Sequence, residues 1–79
     1  MTDRVDPIKM TDRVECRSDH EYAQRPVAFY WQGKRLEIVE VLAHWRIPEG
    51  YSFRVRNEVY GIFELNYDID TDEWSINQP

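Results

Sequence analysis

Residues 26–38 read PVAFYWQGKRLEI, and this stretch decides the fold class. Large apolar side chains are spaced by two on both sides of residues 32–33, at Val27, Phe29 and Trp31 and at Leu36 and Ile38, as they are in strands that bury one face. The glycine in this loop can adopt the positive φ that a two-residue hairpin turn requires. A two-residue loop places Phe29 opposite Leu36, so the apolar side chains of both arms share a face. The stretch therefore predicts a β-hairpin.

The alternation continues toward the C-terminus with a change of phase. Leu36 and Ile38 are even-numbered, but the apolar residues that follow are odd-numbered: Val39, Val41, Ala43, Trp45 and Ile47. A β-bulge near residues 38–39 would return all of them to one face and bend the strand, as the corners of small barrels require. We therefore predict one long bent strand, which ends at Pro48 because proline cannot donate to a sheet.

The C-terminal half contains three further strands whose apolar residues are spaced by two. These residues are Tyr51, Phe53, Val55, Phe63, Leu65, Tyr67, Trp74 and Ile76. Pairing two odd-numbered sets requires an odd loop, which residues 57–59 supply with Phe53 opposite Phe63. The last hairpin joins odd to even positions, so it requires an even loop, either residues 70–71 or residues 68–71.

Residues 68–73 read DIDTDE, which fits either a cation-binding loop or a hairpin turn. A helix-flanked calcium loop needs glycine at its sixth position and glutamate at its twelfth, but Glu73 and Pro79 stand there. Aspartate and threonine side chains also hydrogen-bond the local backbone in tight turns. We predict a turn, and no metal site.

Composition predicts one small domain over residues 13–79, preceded by a disordered leader over residues 1–12. The leader carries the pentapeptide MTDRV, which occurs again at residues 10–14 and is too short to be a structural repeat. With a single cysteine, no apolar run of about 20 residues and no apolar signal segment, the expected location is the cytoplasm.

Catalytic and metal-binding residues are not predicted. Cys16, His20 and His44 offer at most three ligands, whereas a structural zinc site takes four. Acidic neighbours of Cys16 disfavour the thiolate that nucleophilic catalysis requires. The three glycines are scattered in turns, so the chain has no phosphate-binding loop and no cofactor is expected.

The uneven distribution of charge along the chain indicates a binding surface. Residues 24–56 carry six basic and three acidic residues, whereas residues 57–79 carry six acidic residues and no basic one. If the odd-numbered residues form the core, Leu42, His44 and Ile62 lie outward among basic and aromatic groups. The residues predicted to bind a partner are Tyr30, Trp45, Arg46, Arg54, Arg56 and Tyr60, and a place in the core is the alternative for Trp45.

This mixture of side chains fits a protein interface, a single-stranded nucleic-acid site or a solvated exterior. On a solvated exterior, Arg54 and Arg56 would pair across strands with Glu64 or Glu40. The formal net charge of −5 disfavours attraction to phosphates, so a protein partner is expected and nucleic acid is the alternative. Exposed edge strands also permit self-association.

The segments VECRS, RPVAFYWQGKRLEIVEVLAHWR, YSFRVR and FELNYDIDTDEWSI together resemble a family of small uncharacterised bacterial β domains. The resemblance covers residues 14–76 and implies a fold but no catalytic residues. Similar segments occur at the C-terminus of some translesion polymerase-like mutagenesis proteins, which implies an accessory role in DNA repair. We predict an all-β domain of five or six antiparallel strands in a small SH3-like or partly open barrel, acting as a non-catalytic interaction module.

Overall fold

The computed structural model describes residues 13–18 and 25–79, and the described chain forms seven strands and no helix. The strands are β1 (Val14–Arg17), β2 (Arg25–Trp31), β3 (Lys34–Glu37), β4 (Glu40–Ile47), β5 (Gly50–Asn57), β6 (Gly61–Asp68) and β7 (Glu73–Asn77). β1 to β3 form one antiparallel sheet and β4 to β7 form another. The sheets do not close on each other, so the prediction of an all-β, partly open barrel is confirmed. The described residues form seven strands, whereas five or six were predicted. The predicted leader lies outside the described residues.

The β2–β3 hairpin has the predicted register. Phe29 pairs with Leu36, and the two loop residues Gln32 and Gly33 both have positive φ, 51° and 81°. This is the conformation of a type I′ turn, whose twist matches that of the flanking strands. A hydrogen bond of 2.9 Å from Ile38 N to the Val27 carbonyl extends the pairing by one residue.

The prediction of one long bent strand is wrong. β3 ends at Glu37 and β4 begins at Glu40, and the two strands belong to different sheets. The bulge lies farther along, at Leu42, where the register with β5 moves from Val41 opposite Val55 to Ala43 opposite Arg54. The chain therefore passes from the three-stranded sheet to the four-stranded sheet at residues 38–39, and the extra residue of the bulge lies within β4.

The displaced bulge changes which β4 side chains point inward. The inner face of the four-stranded sheet is the face that carries the core residues of β5 and β6. Beyond Leu42, His44 pairs with Phe53 and lies on that face, whereas Trp45 pairs with Ser52 and lies on the other. The expectation that one inward face carries Val39, Val41, Ala43, Trp45 and Ile47 is therefore wrong, because one inserted residue reverses the alternation.

Both remaining hairpins have loops of the predicted parity. The β5–β6 loop has three residues, but Phe63 pairs with Val55 and not with Phe53, so the predicted register is wrong by two residues. The β6–β7 loop has four residues, 69–72, and brings Leu65 opposite Ile76 as an even loop centred on residues 70–71 predicts.

The core lies between the two sheets. Its buried members are Phe29, Leu36, Phe53, Val55, Phe63, Leu65 and Ile76. The rings of Phe29 and Phe63 join the sheets with centroids 4.9 Å apart and planes at 60°. Trp31 packs edge-on against Phe63 at 5.2 Å. Tilted and edge-on contacts of this kind add to the apolar burial that holds so small a domain together. In the part of the chain that the structure describes, no helix could span a membrane.

Candidate interaction surface

The exposed side of the four-stranded sheet, here called the outer face, is set by the register of β5. Because residues alternate along a strand, Gly50, Ser52, Arg54 and Arg56 point away from the core residues Phe53 and Val55. Cross-strand pairs share a face. The outer face therefore also carries Ala43, Trp45 and Ile47 of β4, Ile62, Glu64, Asn66 and Asp68 of β6, and Glu73, Ser75 and Asn77 of β7.

Trp45, Arg54 and Glu64 lie together toward the end of this face that also carries Arg56. The guanidinium carbon of Arg54 lies 5.7 Å from the centroid of the Trp45 ring, within the range of a cation–π contact. Arg54 also donates a hydrogen bond to the Glu64 carboxylate, its partner in the strand register. Trp45 remains 36% exposed. An indole and a guanidinium are thus held side by side at the surface.

Arg56, the next outward residue of β5, also pairs with a glutamate. Its Nε donates to Glu40 at 3.2 Å, and Ile62 lies opposite it in the register and is 42% exposed. The ion pairs of Arg54 and Arg56 are the cross-strand pairs that a solvated exterior predicts. Each is exposed, so each stabilises the fold by only about 0–1 kcal/mol and can be exchanged for a stronger partner.

A buried hydroxyl lies beneath this surface. Ser52 is only 1% exposed although it points to the outer face, and its hydroxyl donates a hydrogen bond to the Asn66 side-chain carbonyl. This bond satisfies a group whose burial would otherwise be unfavourable. Ser52 separates the arginines from the acidic end of the face, because it lies on β5 between Gly50 and Arg54.

The acidic end of the outer face surrounds a cavity of about 420 Å³. Its lining residues are Ile47, Glu49, Asn66, Tyr67, Asp68, Thr71, Glu73, Trp74 and Ser75. No lysine or arginine is among them, whereas three carboxylates are. The cavity is therefore a region of negative potential at the end of the sheet opposite to Arg56.

The acidic stretch next to the cavity is a turn, as predicted. Asp68 Oδ1 accepts hydrogen bonds from the backbone N–H groups of Asp70 at 2.9 Å and Thr71 at 3.2 Å. Asp72 takes a positive φ of 58° and accepts a hydrogen bond from the Tyr67 hydroxyl. That hydrogen bond, which favours the neutral phenol, raises the pKa of Tyr67.

Three of the six predicted binding residues lie away from the outer face. Tyr30 lies in the three-stranded sheet, where its hydroxyl donates to Glu15 at 3.2 Å. Arg46 is on the inner side of β4, with its guanidinium 5.0 Å from the centroid of the Tyr51 ring. Tyr60 lies in the β5–β6 loop and accepts a hydrogen bond of 3.1 Å from Lys34 Nζ. The structure thus brings together Trp45, Arg54 and Arg56 only.

His44, which was predicted to point outward, also lies on the inner side of β4. Its ring stacks on Phe53 with centroids 4.3 Å apart and planes at 12°. Leu42, the bulge residue, and Ile62 are both exposed.

Among the residues of this surface and its cavity that the sequence did not single out for binding are Ser52, Asn66, Ile47 and Glu49. Ser52 and Asn66 could have been found from the position of Ser52 in the same outward row as Arg54 and Arg56, because the partner of a buried hydroxyl must lie on the same face. No sequence pattern identifies Ile47 and Glu49 as cavity residues, because they line the cavity only where the β4–β5 turn lies next to the β6–β7 turn.

Cys16 has the character of a structural thiol. It is partly buried, and burial raises its pKa because the charged thiolate loses hydration. A raised pKa opposes nucleophilic or metal-binding chemistry at neutral pH. Within residues 13–18 and 25–79, no group of three or more histidine, cysteine or acidic side chains could hold a metal ion. His20, considered above as a ligand, lies outside the described residues.

No family model, curated protein or solved structure matches the chain. The likeness to small bacterial β domains and to SH3-like barrels therefore stays a prediction from the sequence.

Proposed function

We propose that this chain is a non-catalytic interaction module that binds a protein partner through the end of its outer face that carries Trp45, Arg54 and Arg56. The observation that carries the proposal is the arrangement of Trp45 beside Arg54, with Arg56 next along the strand. Tryptophan and arginine are the side chains that contribute most to protein–protein binding energy. Here they lie on a rigid sheet, so little conformational entropy is lost when a partner docks.

The partner contacts are Trp45, Arg54 and Arg56, with Ile62 as an apolar neighbour. The present partners of the two arginines are Glu40, whose side chain is 54% exposed, and Glu64, whose side chain is 21% exposed, and carboxylates on a docked protein can replace them. The expected place of action is the cytoplasm of a bacterial cell, and membership of the small β-domain family is part of the same proposal.

Single-stranded nucleic acid is the second candidate ligand. The observation that favours it is the Arg54 guanidinium beside the partly exposed ring of Trp45, because bases stack on such groups. The net charge of −5 and the carboxylate partners of both outer-face arginines weigh against it, since they repel phosphates. A protein partner therefore takes precedence.

The test is capture of partners on the immobilised full chain from a lysate of the cells that make it, with and without nuclease. We expect proteins that are retained after nuclease treatment and lost from Arg54→Ala/Arg56→Ala. The matched control is Arg17→Ala/Lys34→Ala, which removes two charges from the other sheet and should retain them. Loss of all binding after nuclease treatment would make nucleic acid the ligand, and equal binding by both variants would exclude this face.

A further inference from the structure

A second surface lies on the inner face of the four-stranded sheet, at the end next to the β6–β7 turn. Pairing between neighbouring strands places one residue of each strand in a single row, and these residues are Arg46, Tyr51, Tyr67 and Trp74. We propose that this row, here called the aromatic row, binds an extended segment of a partner protein through a lysine or arginine side chain of that segment. The row lies on the opposite side of the sheet from Trp45, Arg54 and Arg56, so the inference goes beyond the function proposed above.

The rings of the aromatic row are in contact with their neighbours. The guanidinium carbon of Arg46 lies 5.0 Å from the centroid of the Tyr51 ring. On the next two strands, the ring centroids of Tyr67 and Trp74 are 5.0 Å apart and their planes are at 45°. Aromatic rings attract both apolar groups and cations to their faces. Because these rings stand on paired strands, a ligand that covers them immobilises few side chains.

The aromatic row is more accessible than the rest of the inner face. The adjacent row, two residues along each strand, is buried and consists of Phe53, Leu65 and Ile76. The three aromatic residues of the aromatic row are only partly buried, and its arginine is exposed. The ring contacts that join the two sheets are made at Phe63, four residues from Tyr67 on β6. They lie toward the other end of the inner face, so a ligand can reach the row from the end of the sheet.

The dimensions of the aromatic row suit an extended chain. Its members lie on four strands about 4.8 Å apart, so the row is roughly 14 Å long and one side chain wide. An extended peptide rises about 3.3 Å per residue, so about four or five residues cover the row. A linear segment of the partner therefore matches its shape.

The charges at one end of the aromatic row select a basic segment. In the described chain, ion pairs engage glutamates of β1, β3, β4 and β6, and none engages an aspartate at the end of β6 or in the turn that follows it. These aspartates are Asp68, Asp70 and Asp72. Asp72 is next to the row, because it accepts the hydrogen bond of the Tyr67 hydroxyl. Arg46 lies at the other end, three strands away, so the Trp74 end is locally acidic.

The cavity of about 420 Å³ gives the basic side chain a place to lie. Tyr67 and Trp74 line it, and so do the carboxylate-bearing residues Glu49, Asp68 and Glu73. A cation that crosses the Trp74 ring therefore reaches carboxylates without leaving the protein surface. The net charge of −5 adds an attraction to basic segments at long range. The same charges repel phosphates, so a polypeptide is a better occupant of the row than single-stranded nucleic acid.

The test is binding of the labelled full chain to an array of immobilised heptapeptides. The central residue is arginine, lysine, glutamine or glutamate in four separate sets, and the other positions are mixtures of alanine, leucine, proline and serine. We expect the arginine and lysine sets to retain at least about tenfold more protein than the other two, because only a cation is attracted by both the rings and the carboxylates. Equal retention by the four sets, or retention by none, overturns the inference.

The first variant removes two charges from the β6–β7 turn. Asp70→Asn/Asp72→Asn keeps the shape of the turn, because asparagine tolerates the positive φ of 58° at residue 72. It changes the net charge from −5 to −3 and should weaken binding of the retained peptides about five- to thirtyfold. The matched control is Glu37→Gln/Glu58→Gln, which also gives −3 and alters residues away from this turn. The control should bind as the wild type does, and equal losses in the two variants overturn the inference.

The second variant removes a ring from the aromatic row. Trp74→Leu should weaken binding of the same peptides about fivefold, because the cation loses the face on which it lies. An unchanged affinity in the folded variant overturns the inference. If circular dichroism shows that Trp74→Leu is unfolded, the aspartate variant and the four peptide sets decide the question.

Two further measurements separate this site from the outer face and from nucleic-acid binding. Arg54→Ala/Arg56→Ala should bind the peptides as the wild type does, and a loss there would place the peptide site on the outer face and overturn the inference. A single-stranded oligothymidine that binds the wild type while no peptide set does would also overturn it. If the inference fails but captured proteins are lost from Arg54→Ala/Arg56→Ala, the proposed function stands.

Discussion

Asn57 joins the two sheets through the Glu37 carbonyl, to which its side-chain Nδ2 donates a hydrogen bond of 2.8 Å. The Asn57 side chain is at the end of β5, and its carbonyl oxygen accepts hydrogen bonds from the backbone N–H groups of Val59 at 3.0 Å and Tyr60 at 2.9 Å. One buried amide, only 6% exposed, thus shapes the β5–β6 loop and holds the end of β3. Both functions require the amide, because a carboxylate cannot donate and an amine cannot accept.

We expect Asn57→Ala to lower the free energy of unfolding by about 2–4 kcal/mol, because it leaves buried backbone groups without partners. Asn57→Asp keeps the acceptor for Val59 and Tyr60 but loses the bond to Glu37 and places a buried carboxylate against that carbonyl oxygen, so it should be at least as destabilising near neutral pH. Urea denaturation followed by tryptophan fluorescence measures both. A variant of either kind that is as stable as the wild type would show that the bond to Glu37 does not hold the sheets together.

Gly50 cannot be replaced without moving a neighbouring strand. A Cβ placed there would lie 2.2 Å from the Tyr67 carbonyl oxygen, which belongs to the backbone and cannot rotate away. We expect Gly50→Ala to destabilise the fold by more than about 3 kcal/mol, or to prevent folding, as overpacking against a fixed group does. Thermal unfolding measures the change.

The control for this substitution is Gly33→Ala. Gly33 has a φ of 81°, and no atom lies within 4 Å of the position that an alanine methyl group would take, so only backbone strain of about 1–2 kcal/mol is expected. A Gly50→Ala variant as stable as Gly33→Ala would contradict the close approach of β5 to β6.

Removal of the arginine side chain from the Arg54–Glu64 ion pair should affect binding more than stability. The pair is exposed, so Arg54→Ala should change the free energy of unfolding by less than about 1 kcal/mol. The same variant should lose partner binding, because arginine at a protein interface is an anchor. Denaturation and capture experiments on the same preparation separate the two effects, and a large loss of stability would show that Arg54 belongs to the fold.

Glu15 should contribute to the pH dependence of stability. Hydrogen bonds from Arg35, the shortest of 2.9 Å, hold the pKa of this carboxyl below its ordinary value of 4.5. A lowered pKa in the folded state means that the unfolded chain binds the proton more tightly. The contribution of Glu15 to the free energy of unfolding is therefore fully present above about pH 4.5. It is lost as the pH falls through the lower pKa that Glu15 has in the folded state.

Glu15→Gln should remove this part of the acid sensitivity and leave the stability curve flatter below pH 4.5 than that of the wild type. Chemical denaturation at a series of pH values measures the slope. Parallel curves for the two proteins would mean that Glu15 has the same pKa in the folded and unfolded states.

Local sequence pattern was enough to predict the β2–β3 hairpin, because Gln32 and Gly33 accept the positive φ that its turn requires. For the β6–β7 hairpin the pattern allowed two even loops, and the structure has the register of the loop at residues 70–71. The β5–β6 register was wrong by two because Asn57 belongs to the strand and shapes the loop after it. An amide's role of this kind depends on a distant carbonyl, which no local pattern reveals.

The sequence predicted only part of the candidate surface, because the other part depends on how two strands pair. Arg54 and Arg56 alternate with core residues inside one regular strand, so their outward direction follows from the sequence. Arg46 and His44 follow the bulge at Leu42, whose position is set by pairing with β5. Parity counted from the wrong bulge therefore placed them on the wrong side.

The bulge at Leu42 also has an evolutionary consequence. A strand that lost this one residue would keep all its pairing partners on β5, because Val41 would still face Val55 and Ala43 would still face Arg54. Trp45 would therefore stay on the outer face, and His44 and Arg46 would stay on the inner face. The bulge thus allows β4 to lose one codon without a change in the recognition surface.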